Sequence, residues 1–138
     1  MPPIPLAEEA TTRAVIGAFY DVYNTLDYGF PETLYVSALE RELRTRGCDV
    51  GREVYVPVTY KNEELGRQRL DMLVNGRVVV EAKATEVLHP MATRQLFSYL
   101  RATNLEVGLL LHFGPAPRFR RVVGLNDPHA KVPSIRSV

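Results

Sequence analysis

The chain has a single cysteine, Cys48, among its 138 residues. A lone cysteine excludes an internal disulfide and any multi-cysteine zinc site. No apolar run approaches the roughly 18 residues of a membrane span. The start, Met1-Pro2-Pro3-Ile4-Pro5, has neither the basic residues nor the apolar stretch of a signal peptide. There are no internal repeats, and no low-complexity segment apart from the Pro-rich ends. Strong charge of either sign is also missing. The formal net charge is +1, so the chain as a whole is not a polyelectrolyte binder. The three histidines, His89, His112 and His129, share no metal-ligand spacing with one another or with Cys48, so no zinc site is expected. These absences describe a soluble intracellular protein, expected in the cytoplasm and not on a membrane.

Hydrophobic residues make up 46% and charged residues 24%, which excludes a disordered, collagenous or coiled-coil chain. The length suits one domain, spanning 1–138 with its core at about 12–126 and flexible ends at 1–7 and 127–138. Charge is unevenly spread. From Arg118 onward, five basic residues (Arg118, Arg120, Arg121, Lys131, Arg136) face one acid, Asp127, while the remainder carries −3. This basic stretch reads either as a solvated end or as a local landing site for a polyanion.

Periodicity sets the elements. Val15, Phe19, Val22 and Leu26 form the apolar stripe of a first helix, ended by Asp27-Tyr28-Gly29. Tyr20, Tyr23 and Tyr28 have spacings that suit core packing. Pro31 opens a second helix through Tyr35, Leu39 and Leu43, stopped by Gly47. A period of two then runs from Cys48 to Lys61, a half-buried strand in which Pro57 implies an edge position or a bulge. A second strand is expected at about 67–74 and a third at about 77–84, joined through Asn75-Gly76. Pro90 opens a third helix that Asn104 ends. Val107 to Phe113 is an apolar run suited to a strand buried on both faces, and a short strand is expected at 119–123. The order α-α-β-β-β-α-β places a crossover helix before the fourth strand, so an α+β fold with a mixed β-sheet flanked by helices is expected.

Three residues break the bland pattern. Asp71 interrupts a strand, and Glu81 and Lys83 stand two apart in a valine-rich one, so they share a face. A charge among valines is either solvent-facing and paired, or it has a task. The task that suits these residue types is metal-assisted phosphodiester hydrolysis. Two carboxylates on adjacent strands would bind Mg²⁺ or Mn²⁺, with the Ala82 backbone carbonyl as a third protein ligand. The metal would acidify a water, and a neighbouring lysine would orient that water or neutralise the phosphate.

Asp71 followed by Glu81-Ala82-Lys83 resembles the PD-(D/E)xK nuclease motif on its β-hairpin, with Leu70 where the motif's name has proline. Gly29-Phe30-Pro31-Glu32-Thr33-Leu34-Tyr35 is similar to the pattern that names the GxxExxY family, whose members have a restriction-endonuclease-like fold. The resemblance extends through 50–60, Leu65 to Asp71, Gln95 to Arg101, and Gly108 to Gly114. It implies metal ligation by Asp71 and Glu81, with Lys83 as the catalytic lysine. It also implies an acid, Glu32, from the first core helix, although Glu32 equally suits the dipole at that helix's N-terminus. Gln95 matches a glutamine of several nuclease branches, and is as well explained by a polar helix face. The expected function is a Mg²⁺-dependent nuclease acting on DNA, held in part by Arg118, Arg120 and Arg121, with a homodimer as one way to enlarge its grip. The alternatives are a non-catalytic module that keeps the fold for binding nucleic acid or protein, and a hydrolase of single nucleotides.

The hairpin gives this reading a geometric condition. A regular two-residue turn at Asn75-Gly76 would point Asp71 away from Glu81 and Lys83. A three-residue loop, Val74-Asn75-Gly76, built as a type I turn with a left-handed Gly76, would set Asp71 opposite Val79 on the face of Glu81 and Lys83. Leu70, Met72, Val78, Val80 and Ala82 would then share an apolar face. The odd-length loop, or an equivalent bulge, is therefore expected.

Overall fold

The computed structural model describes residues 8–124; the expected flexible ends at 1–7 and 127–138 lie outside the described residues. The first apolar stripe forms α1 (Glu9–Leu26), with Val15, Phe19 and Val22 buried. Pro31 stands just before α2 (Glu32–Thr45) as its cap rather than as its first residue. The period-two segment is β1 (Val50–Tyr60), followed by β2 (Glu63–Val74), which starts earlier than its sequence suggests. The cause is the turn between them. Lys61 and Asn62 both take positive φ, giving a tight two-residue connection that lets Tyr60 pair with Glu63. The remaining elements are β3 (Val78–Lys83), α3 (Met91–Thr103), β4 (Val107–Phe113) and β5 (Pro117–Val123).

The strands form one sheet in the order β1-β2-β3-β4-β5. Only β3 and β4 run parallel, and α3 makes the crossover between them. The fold is α+β, a mixed five-stranded sheet with helices on both faces. On one face, α1 and α2 cover a core of Phe19, Tyr35, Leu39, Met72, Val80, Leu111 and Phe113. On the other, α3 covers Val79, Leu96, Leu100, Leu110 and Val122. Rings lock the first core: Tyr35 stacks on Phe113 at 4.2 Å, and Phe19 meets Phe113 edge-on at 4.9 Å. Arg52 bonds Glu40 at 2.7 Å, and Arg44 bonds the Val50 carbonyl at 2.9 Å, tying the start of β1 to α2. Tyr23 is buried, but Tyr28 is 54% exposed, because α1 has ended before it and the chain is turning outward. Among the described residues no helix is long and apolar enough to cross a membrane.

Pro57 lies on an edge strand, as its missing N–H requires, and the ladder slips one residue further on, between Val58 and Thr59. The β2–β3 loop is odd-length, but its construction differs from the expected one. Asn75 and Gly76 both have positive φ (54° and 66°), and Arg77 N–H bonds the Val74 carbonyl at 3.0 Å. That is a primed turn, and the extra residue is Arg77, since Val74 pairs with Val78. The register is thereby two residues on from the expected one, and Asp71 comes level with Glu81 rather than Val79.

Leu70 does not join the face of Met72, Val78, Val80 and Ala82. It packs with Val56 and Val79 beneath α3. The alternation breaks beside Asp71, where Glu53 of β1 sits in left-handed backbone (φ 54°) and the ladder passes from Arg52↔Met72 to Val54↔Leu70. Beyond that break the β1–β2 ribbon turns its inner side toward α3.

Candidate active site

β2 and β3 pair as far as Met72↔Val80, and there two side chains take over from the backbone ladder. Ala82 N–H donates to Asp71 Oδ2 at 2.9 Å, and Asp71 N–H donates to Glu81 Oε1 at 3.2 Å. Each carboxylate thus reaches the opposing strand's backbone, and the two acids are held side by side. Glu81 is only 7% exposed. Burial, and then the charge of Asp71, push its carboxyl up to about 8. In the neutral form it can donate to the Asp71 carboxylate.

Lys83 lies on the Glu81 face of β3, and its ammonium opposes the upward shifts of both Glu81 and Glu32. Glu32 opens α2 from the far side of the sheet. Burial and the charge of Asp71 raise its pKa, while the Ala84 N–H bonds to its charged form. The residues around it explain how it is aimed. Gly29, with φ 116°, turns the chain between α1 and α2. The buried Tyr35 then pins that turn, its hydroxyl donating to the Asp27 carbonyl at 2.5 Å and accepting the Phe30 N–H at 3.2 Å. Glycine, glutamate and tyrosine at this spacing therefore form one device that carries Glu32 to Asp71 and Lys83.

Gln95 enters from α3 and hydrogen-bonds the hydroxyl of Tyr99, one helical turn on. Tyr99 is 9% exposed, and its hydroxyl is pushed up by burial, then by Glu81 and Asp71. It donates to Gln68 Oε1 at 3.3 Å. Sequence reasoning assigned no role to Gln68 or Tyr99. Gln68 precedes Asp71 by three on β2, and Gln95 and Tyr99 are spaced i, i+4. Those spacings are the only signals in the sequence; the meeting itself arises where the ribbon reaches α3.

The basic residues separate. Lys83, His112 and Arg118 are successive partners across β3, β4 and β5, as are Glu81, Leu110 and Arg120. Arg118 and Arg120 therefore share the face of Glu81 and Lys83, two strands or about 10 Å away along the sheet. Arg121 pairs with Leu109, whose side chain is in the α1–α2 core, so it lies on the opposite face.

The donor set fits a hard divalent cation. Asp71, Glu81 and Glu32 offer only oxygen. Ala82 directs its N–H to Asp71, and in an extended strand the carbonyl of the same residue leaves on the same edge, toward the carboxylates. Among the described residues no group of three or more His, Cys, Asp or Glu is arranged to hold an ion unaided. Two carboxylates, with water completing the shell, is the pattern of Mg²⁺ rather than of a structural zinc.

No curated protein sequence matches the chain. A solved structure titled "Crystal structure of SSO0001" aligns with 87% of this chain at 17% identity and a TM-score of 0.53, which supports the fold alone. The chain spans 61% of that structure's length. A family model described as the PD-(D/E)XK nuclease superfamily matches residues 9–122, from the first turn of α1 to the end of β5. That match takes in the hairpin with its paired carboxylates and the lysine beside them, and the chain belongs to the PD-(D/E)XK nuclease superfamily.

Proposed function

We propose that this protein is a Mg²⁺-dependent nuclease of the GxxExxY type that hydrolyses phosphodiester bonds of DNA. The observation that carries the reading is the pair of bonds across the splayed β2–β3 hairpin, Ala82 N–H to the Asp71 carboxylate and Asp71 N–H to the Glu81 carboxylate, with Lys83 on the same face. A buried Glu81 held against a half-buried Asp71 raises the energy of their doubly charged form, and a bound cation would relieve it. A bound divalent ion supplies an acidified water and a Lewis acid for the phosphate.

The chain's own residues do the rest. Asp71, Glu81 and the Ala82 carbonyl hold the ion. Lys83 orients the attacking water and neutralises charge growing on the phosphate. Glu32 accepts a proton from water on the α2 side, a task helped by its raised pKa. Arg118 and Arg120 hold neighbouring phosphates on the same face.

The test is cleavage of single-stranded, duplex and branched DNA, and of RNA, with Mg²⁺, Mn²⁺ or EDTA. Lys83→Ala should lower cleavage by about 100-fold or more, the scale of losing one charge-stabilising group. DNA affinity should stay within a few-fold. Failure of the wild type to cut any of these substrates with either metal would leave a binding module.

A further inference from the structure

Between α3 and the inner side of the β1–β2 ribbon lies a cavity of about 640 Å³. Sites of roughly 300–1,000 Å³ receive small organic groups. Lys83 forms part of its wall, so the cavity adjoins the carboxylate site. Tyr99 links the two, lining the cavity while feeling the charge of Glu81 and Asp71.

The lining has a distinct chemistry. Val56, Val58, Leu88 and Ala92 make aliphatic walls. Among the described residues no carboxylate lines it, and Lys83 and the exposed Arg94 supply positive charge. A phosphate would lose its hydration against the aliphatic walls and gain nothing from them. A flat, uncharged ring gains from them, while the phosphates on either side of it meet the two cations. The uncharged polar groups suit a base edge. The Gln68 amide is oriented by the Tyr99 hydroxyl, and Gln95 lies one helical turn before Tyr99. Amides of this kind read base edges through paired donors and acceptors.

We infer that this cavity receives one unpaired nucleobase of the strand being cut, so that the substrate is single-stranded or locally unpaired nucleic acid. A base in the cavity has left both its pair and its stack, which a continuous duplex resists and a single strand does not. The inference rests on the nuclease reading, yet it concerns binding and has its own readout.

The experiment compares an oligothymidylate with an abasic oligomer of the same length and phosphate count, both measured in EDTA, where the strands stay whole. The wild type should bind the base-bearing strand about tenfold tighter or more, the scale set by enclosing one base. Ser98→Phe fills the cavity from an exposed position on α3, and should bring the two affinities together without changing their salt dependence. Gln68→Ala, on the exposed ribbon, should lower only the affinity for the base-bearing strand. Equal affinity of the wild type for both strands overturns the inference, as does an equal loss for both in Ser98→Phe. A change of oligomeric state in Ser98→Phe, with strand binding untouched, would make the cavity an interface between copies and also overturn it. Cleavage without base preference removes the base site and leaves the nuclease. Base preference without cleavage does the reverse.

Discussion

Glu81 holds its proton far above the ordinary value of 4.5, at about 8, because it is buried and because Asp71 is its neighbour. A proton held more tightly in the folded state than in the unfolded chain gives stability a defined slope. The full benefit is present below about pH 4.5, and it is lost as pH rises toward and through 8. The metal-free protein should therefore become less stable across that window, by on the order of a few kcal/mol. Urea unfolding at intervals from pH 5 to 8.5 measures the slope, and Glu81→Gln should flatten it. A slope that survives in Glu81→Gln would place its origin elsewhere. Mg²⁺ should offset the loss at high pH, since an ion that binds only the folded state stabilises it by about 2.7 kcal/mol at a hundred times its Kd. Because the ion competes with the Glu81 proton, its binding should release protons most strongly near neutral pH. Calorimetry in two buffers of different ionisation enthalpy counts them. Asp71→Asn should remove the Mg²⁺ stabilisation while leaving the fold intact.

The β2–β3 turn decides which face Asp71 occupies, and Asn75 holds that turn in place. Its N–H donates to the Asp49 carbonyl at 2.8 Å, its Oδ1 accepts the Asp49 N–H at 2.8 Å, and its Nδ2 reaches Thr11 Oγ1 at 3.0 Å. Its φ of 54° is one that asparagine tolerates and alanine resists. Asn75→Ala should cost about 1–2 kcal/mol of stability, combining the backbone penalty with the loss of exposed hydrogen bonds. Asn75→Gly keeps the backbone and should cost less. Urea midpoints separate the two, and equal losses would assign the effect to the side-chain bonds alone. The same turn shows what a sequence can disclose. Helix stripes, the change to a period of two and the Gly-Pro-rich break after Phe113 are local, and each element they announce is present. That the loop must be odd in length follows from requiring Asp71 and Glu81 on one face, and the expected loop is Val74-Asn75-Gly76. That the loop is Asn75-Gly76-Arg77 instead does not follow, because Asn-Gly favours a primed turn whichever residue follows it. The break in alternation at Glu53 and Asp71 left no signal either, since glutamate is an ordinary strand-flanking residue that takes left-handed backbone here only under tertiary constraint. Leu70 therefore lies under α3 and not on the face of Met72 that strict alternation predicts. Gln68 and Tyr99 stayed hidden for the same reason, because they meet only after the ribbon has turned toward α3.

At the scale of the whole molecule, charge is arranged by face and not by amount. A net charge of +1 gives little general attraction for a polyanion, so the proposed binding would rest on a few placed cations. The sheet places them in rows. Arg118 stands level with Lys83, and Arg120 level with Glu81, each two strands away on the same face. Leu110 and His112 between the rows are buried, so a strand would pass from Lys83 to the arginines over the loop before α3, whose Leu88 and His89 line a cavity with each of them. Arg121, although adjacent in sequence, pairs with Leu109 and belongs to the α1–α2 side. Salt dependence distinguishes these positions, because each phosphate neutralised on a single strand contributes a slope of about −0.7 in log K against log salt. Replacing Arg118 and Arg120 together by glutamate should weaken binding and flatten the slope by about 1.4, or about 0.7 for each phosphate no longer neutralised. Arg121→Gln should leave the slope as it is. Fluorescence anisotropy on a labelled oligonucleotide from 50 to 300 mM salt, a range of roughly the needed span, reads both variants. If Arg121→Gln flattened the slope as much as the double replacement, the strand would be held by the basic segment as a whole and not by one face. The row of arginines beside Lys83 would then have no part in directing the phosphate to the carboxylates.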